Sequence, residues 1–188
     1  MKKNLWIGIL FLLLILFVAG GRLLPHPPNF TPLMAIALFS GALLGRGPLA
    51  YLLPLGAMVV SDFFLGFHSL SGIVYLAMAP AVLLGTFVQQ TQPLGEKKSV
   101  YGLKWIGLAL GADLIFYVIS NLGVWYVTDF YEKSVDGLIQ CFTLALPFLL
   151  NQILGTGTFL GLLLFTAYGL KVLAGWRSPE LSYQKYKR

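Results

Sequence analysis

Charged residues and cysteines are scarce in this sequence, and their scarcity excludes several classes of protein. Only 11% of the residues are charged and 57% are hydrophobic, whereas a soluble domain carries roughly 25% charged residues. A water-facing surface cannot be built from this composition, so we predict an integral membrane protein. The single cysteine, Cys141, excludes an intrachain disulfide. The sequence also has no cysteine–histidine spacing typical of a zinc site.

Long apolar runs are abundant, and we interpret six of them as transmembrane helices, since a spanning helix needs about 20 mostly apolar residues. The runs cover 4–21, 30–45, 49–67, 70–89, 103–127 and 142–174, and a tail follows at 175–188. The last run is longer than one span needs, so we expect an interfacial stretch from about Gly137 that turns into the membrane near Pro147. The predicted fold class is all-α, a polytopic membrane bundle forming a single domain over 1–188.

The basic residues predict the orientation of this bundle. With the N-terminus in the cytoplasm and six spans, all but two of the 13 Lys and Arg residues lie in cytoplasmic segments, the exceptions being Arg22 and Lys133. Because Lys and Arg accumulate in cytoplasmic loops, the net charge of +6 indicates topology and not nucleic-acid binding. We predict a multi-pass inner-membrane protein with both termini cytoplasmic. No small-x-small cleavage site follows the first run, so we expect this run to be retained and not removed as a signal peptide.

Polar side chains within or beside the spans are the candidates for a site, because ionisable groups in a bilayer are costly and by default indicate function. The fifth span carries polar and aromatic residues at spacings of four, which places them on one helix face. This stripe consists of Asp113, Tyr117, Asn121 and Trp125. Further polar groups at the outer half are Asn29, Asp62, His68, Tyr75, Asn151 and Gln152. Their convergence predicts a cavity open to the outside, and hydrogen bonding between helices stays open as the alternative.

No catalytic motif accompanies these residues: the sequence has no H-E-x-x-H, no G-x-S-x-G and no glycine-rich phosphate loop. We therefore predict no catalytic residue, no bound metal and no cofactor. Two other functions stay open. One is a membrane-embedded enzyme that uses His26, Asp62 and His68, and the other is an assembly subunit that transports nothing.

Small residues recur every four positions in the second run, at Ala37, Gly41 and Gly45. Such a stripe permits close approach of another helix. The contact is either internal to the bundle or made with a partner. Gly155, Gly157 and Gly161 allow close contact in the sixth run in the same way.

A resemblance rests on the run R-L-L-P-H-P-P-N-F-T-P at 22–32, and on Ser61-Asp62 followed by Gly66-Phe67-His68 and Tyr75. These residues resemble the bacterial family DUF6580, which is described as one of transport proteins, over most of the chain. In size and layout the chain also resembles, more distantly, the S components of energy-coupling-factor (ECF) vitamin transporters, including the BtuM-like ones. It departs from them in lacking an Ala-x-x-x-Ala docking pattern in the first run. It also has no cysteine within 61–79, where a cobalt-binding thiolate would be expected.

The resemblance implies a membrane transport protein whose pocket binds a small vitamin-like or other polar molecule from the outer face. Aromatic side chains would stack on a ring, and amides and acids would fix its polar edges. Besides the lipid bilayer, the resemblance implies an energising partner of the ECF type, a transmembrane T subunit plus ATPases. The sequence has no nucleotide site of its own, so the energy comes from such a partner or from a gradient. In the second case we expect Asp62 or Asp113 to carry a coupling proton.

Overall fold

The computed structural model describes residues 2–90 and 98–173. These residues form six α-helices and no strand, which confirms the all-α prediction for the described part of the chain. The helices are α1 (Lys2–Leu23), α2 (Leu33–Leu44), α3 (Pro48–Leu65), α4 (Ser71–Gln90), α5 (Lys98–Val127) and α6 (Val135–Leu173). The expected tail at 175–188 lies outside the described residues.

Four of the described helices, α3 to α6, are long and apolar enough to cross a membrane. The shorter apolar helices are α2 and the part of α1 from Leu12 to Leu23. Large apolar side chains such as Leu114, Leu154 and Phe165 are exposed on the outside of the bundle. Lipid tails are the natural neighbours of such a surface, and these features together indicate a membrane protein.

The C-terminal run forms one 39-residue helix, α6, in place of the expected interfacial stretch and turn. The expected turn near Pro147 is wrong, because α6 begins at Val135 and continues through this proline. A proline removes one backbone hydrogen bond, but helices in membrane bundles tolerate this loss because neighbouring groups satisfy the freed carbonyl. At 1.5 Å per residue the helix is about 58 Å long, well beyond the hydrocarbon thickness.

Helix α2 lies at the centre of the bundle and contacts α3, α4, α5 and α6. Two glycines bring its backbone against that of α4. A Cβ atom on Gly41 would lie 1.9 Å from the carbonyl oxygen of Val82, and one on Gly85 would lie 2.0 Å from that of Leu38. The small residue at Gly41 is therefore used for an internal contact. Gly45 instead ends α2 with a φ of 71°.

Candidate functional site

Asp62 belongs to a polar cluster that joins α1, α3 and α4. Its Oδ1 lies 2.7 Å from Nη1 of Arg22, and its Oδ2 accepts a hydrogen bond of 2.8 Å from the Tyr75 hydroxyl. Arg22 also donates to the Ser61 hydroxyl. Asp62 is only 2% exposed, and both its oxygens are bonded within the protein. The cluster therefore links three helices and neutralises the charge of Asp62.

Asp113, at the middle of α5, has a different environment. Its Oδ1 accepts hydrogen bonds of 2.9 Å from Gln152 Nε2 and from Thr156 Oγ1, both on α6. In the described part of the chain, no Lys or Arg pairs with Asp113 and no group donates to its Oδ2. Asp113 is 1% exposed. It is thus a buried carboxylate with hydrogen-bond donors on one oxygen and no counter-ion.

The other members of the stripe on α5 bond mainly to backbone groups. The Tyr117 hydroxyl donates to the carbonyl of Phe142. Asn121 Nδ2 donates to the carbonyl of Tyr117 at 2.8 Å. Trp125 Nε1 donates to the carbonyl of Glu132 at 2.8 Å, beyond the end of α5. Of these three side chains, only Tyr117 makes the hydrogen bond between helices that the sequence left open as an alternative. Asn121 bonds within α5, and Trp125 bonds to the connection between α5 and α6.

The remaining predicted residues lie in connections or between helices. His68 is exposed between α3 and α4, and its Nδ1 accepts a hydrogen bond from the Leu70 amide at 3.2 Å. Asn29 adopts a positive φ of 63° between α1 and α2. Asn151 is half-buried on α6. Among the described residues, no three metal-ligating side chains come together, so His26, His68 and Asp62 form no metal cluster there.

A cavity of about 710 Å³ lies between α2, α5 and α6, towards the end of the bundle where α2 ends and α5 begins. This large cavity has an apolar and aromatic wall. The polar residues Asp113 and Thr156 lie at its deep end, near the middle of α5 and α6. Its lining includes Phe39, Ala42, Leu43, Tyr101, Trp105, Ala109, Asp113, Thr156, Gly157, Leu160, Gly161 and Tyr168. Its volume falls within the range of about 300–1,000 Å³ that is usual for small-molecule sites.

The sequence reasoning missed this large cavity. Gly155, Gly157 and Gly161 were expected to allow close helix contact. A Cβ atom on Gly155 would lie 3.1 Å from the backbone nitrogen of Thr31, but one on Gly157 or Gly161 would meet no described atom within 4 Å. Gly157 and Gly161 line open space instead. Their spacing of four on α6 was the available signal, but a run of small residues does not distinguish a void from a tight contact.

A second, small cavity of about 180 Å³ lies towards the opposite end, where α1 ends and α2 begins. Its lining includes Arg22, His26, Asn29, Thr31, Met58, Phe116 and Gln152. Of the ten predicted site residues, Asn29 and Gln152 line the small cavity and Asp113 lines the large one. Those that line neither of the two are Asp62, His68, Tyr75, Tyr117, Asn121, Trp125 and Asn151.

A hydrogen-bonded pair joins the linings of the two cavities. Gln152 lines the small cavity and donates to Asp113, which lines the large cavity. We call this pair the polar partition. Both residues are at least 96% buried.

The chain matches one known family. A family model described as "Family of unknown function (DUF6580)" matches residues 2–179. No curated protein and no solved structure matches the chain. The role of the cavities must therefore be argued from their geometry.

Proposed function

The chain belongs to the DUF6580 family, whose function is unknown, and from its two cavities we propose that it carries a small molecule across the inner membrane. In this proposal the protein is multi-pass, and the solute moves between the small and the large cavity. The observation that supports the proposal is the polar partition, because it joins a residue of the small cavity to a residue of the large one. In the proposal, separation of Asp113 from Gln152 opens the path between them.

The orientation follows from the basic residues of the sequence. If both termini are cytoplasmic, the large cavity occupies the cytoplasmic half of the bundle and the small cavity the outer half. Solute sites of membrane transporters lie near the bilayer midplane, which is the expected depth of Asp113 in the middle of α5. A hydrogen bond to a charged group contributes only about 1.5–3 kcal/mol net. The partition can therefore open at a cost that solute binding is able to offset.

Of the two acids within the spans, we propose that Asp113 carries the proton that couples transport to a gradient. The charge of Asp62 is neutralised by Arg22 at 2.7 Å, whereas Asp113 has only neutral donors around it in the described residues. The ECF-type energising module stays a finer prediction that rests on size and layout. Co-purification of a T subunit and ATPases with the tagged chain would support it.

The proposed path is tested by labelling single cysteines with a membrane-impermeant maleimide, in a Cys141→Ala background. Thr31→Cys reports on the small cavity and Gly161→Cys on the large one. We expect Thr31→Cys to react in intact cells and Gly161→Cys to react only in inverted vesicles. Leu114→Cys, on the exposed side of α5, is the matched control and should react in neither, because lipid surrounds it.

Labelling of both cavity positions from the same side would contradict two opposed cavities. Transport itself is tested in proteoliposomes. A thermal-shift screen against vitamins, their precursors and purine-like bases selects compounds, because a ligand that binds only the folded protein stabilises it by about 2.7 kcal/mol at a hundredfold excess over its Kd. Compounds that stabilise the protein are then assayed for uptake, and binding without uptake would count against a carrier.

A further inference from the structure

We propose that the large cavity takes an organic cation, a protonated amine with an aromatic or apolar body, and that the Asp113 carboxylate binds its charge. This inference rests on the proposed function and names the substrate class of the same site.

The Asp113 carboxylate, at the deep end of the large cavity, has no counter-ion in the described part of the chain. Asp113 lines the cavity and pairs with no cation in the described part of the chain, and its Oδ2 accepts no hydrogen bond there. Asp62 shows how the same protein treats an acid that it keeps for structure, with a guanidinium at 2.7 Å and a donor on each oxygen. A carboxylate buried within a membrane normally has a partner. A cationic ligand would balance the charge of the Asp113 carboxylate.

The wall suits the body of such a cation and disfavours an anion. Among the described residues that line the large cavity there is no Lys or Arg. Aromatic rings lie together on its wall: the Trp105 centroid is 6.3 Å from that of Phe39 and 6.4 Å from that of Tyr101. Aromatic faces attract ammonium groups, most strongly where water is excluded. Tyr168 adds a fourth ring on α6.

Trp105 also lines the large cavity, and its indole N–H is a second polar group to consider. Its Nε1–H is buried and has no hydrogen-bond partner in the described part of the chain. Trp105 precedes Asp113 by two turns of α5, about 12 Å along the helix axis. A ligand with its amine at Asp113 and its body along the aromatic wall would extend towards Trp105.

The test compares three probes of nearly equal size on the full-length, detergent-purified protein at neutral pH. They are 2-phenylethylamine, which is a cation, 2-phenylethanol, which is neutral, and 3-phenylpropionate, which is an anion. Binding is followed by thermal shift, and by protection of Gly157→Cys from maleimide in the Cys141→Ala background. Gly157 lines the large cavity, and a side chain there meets nothing within 4 Å.

We expect the amine to stabilise the protein and protect the cysteine at a concentration at least tenfold below that needed for the alcohol. The anion should do neither. Asp113→Asn should weaken binding of the amine at least tenfold, so that the amine binds no more tightly than the alcohol. Asp136→Asn makes the same chemical change at an exposed position of α6 and should keep the full preference.

Three results would overturn the inference: the alcohol binds as well as the amine, Asp113→Asn keeps the preference for the amine, or no probe binds. If Asp113→Asn does not fold, the comparison of amine with alcohol on the unaltered Asp113 protein still decides. Failure of the proposed function would show elsewhere, in the sidedness of cysteine labelling. If Thr31→Cys labels in intact cells and Gly161→Cys only in inverted vesicles, but the ligand is neutral, the carrier proposal stands. Only the proposal of a cationic ligand is then removed.

Discussion

Replacing Gly85 with alanine is expected to destabilise the protein by about 3 kcal/mol, at the upper end of the usual cost of overpacking. The added Cβ atom would lie 2.0 Å from the carbonyl oxygen of Leu38 and 2.9 Å from the amide nitrogen of Ala42. Both atoms belong to the backbone of α2, so no side-chain rotation relieves the contact and the two helices must separate. Gly41→Ala should behave alike, since its Cβ atom would lie 1.9 Å from the carbonyl oxygen of Val82.

The measurement is the free energy of unfolding in detergent, followed by helical signal during denaturant titration. Gly107→Ala is the matched control, because it makes the same change on an apolar helix where a Cβ atom meets nothing within 4 Å. Alanine is favoured over glycine in a helix interior by about 1 kcal/mol, so this variant should be as stable as the parent or more so. Equal stabilities of Gly85→Ala and Gly107→Ala would contradict the close contact of α2 with α4.

The contact has a consequence for the candidate site. Helix α2 supplies Phe39, Ala42 and Leu43 to the large cavity, and α4 holds α2 in place through the two glycines. A variant such as Gly85→Leu, which forces a larger separation, should therefore lose cavity binding as well as stability. The stripe of small residues in the sequence predicted a close contact, but its partner became identifiable only when α4 was seen to present a glycine to the same face.

Apolar run length predicted the helices well and their ends less well. The runs at 49–67 and 70–89 nearly coincide with α3 and α4. The last run failed at Pro147, where the sequence rule expects a break because proline lacks an amide hydrogen. That rule assumes a helix that depends on its own hydrogen bonds in water, whereas a helix packed in a membrane bundle has other ways to satisfy one carbonyl.

The site was less predictable, because partners distant in sequence decide the role of each polar residue. Asp62 and Asp113 look equivalent in the sequence, as single acids in apolar runs. The structure separates them, because Arg22, 40 residues from Asp62, neutralises one. Among the described residues, only Gln152 and Thr156 bond to the side chain of the other. Spacings of four identify a helix face, but they carry no information on which groups another helix places against it.

Replacing Arg22 with leucine is expected to destabilise the protein by about 3–5 kcal/mol, the cost of leaving a buried charge without its partner. Asp62 is only 2% exposed, and in the described part of the chain Arg22 is the cation that pairs with it. Tyr75 would still donate to Oδ2, but one neutral hydroxyl does not balance a carboxylate. The same unfolding measurement checks the value. Arg46→Leu, at an exposed position, should change stability by no more than about 0.5 kcal/mol.

The combined variant Arg22→Leu, Asp62→Leu, Tyr75→Phe decides why the single variant is unstable. Replacing a whole buried ion pair by apolar residues is often neutral or stabilising, so the triple variant should regain most of the loss. A triple variant as unstable as Arg22→Leu would mean that Arg22 contributes through packing and not through its charge. Recovery would show that the loss in Arg22→Leu comes from the unpaired charge of Asp62 and not from lost packing around Arg22.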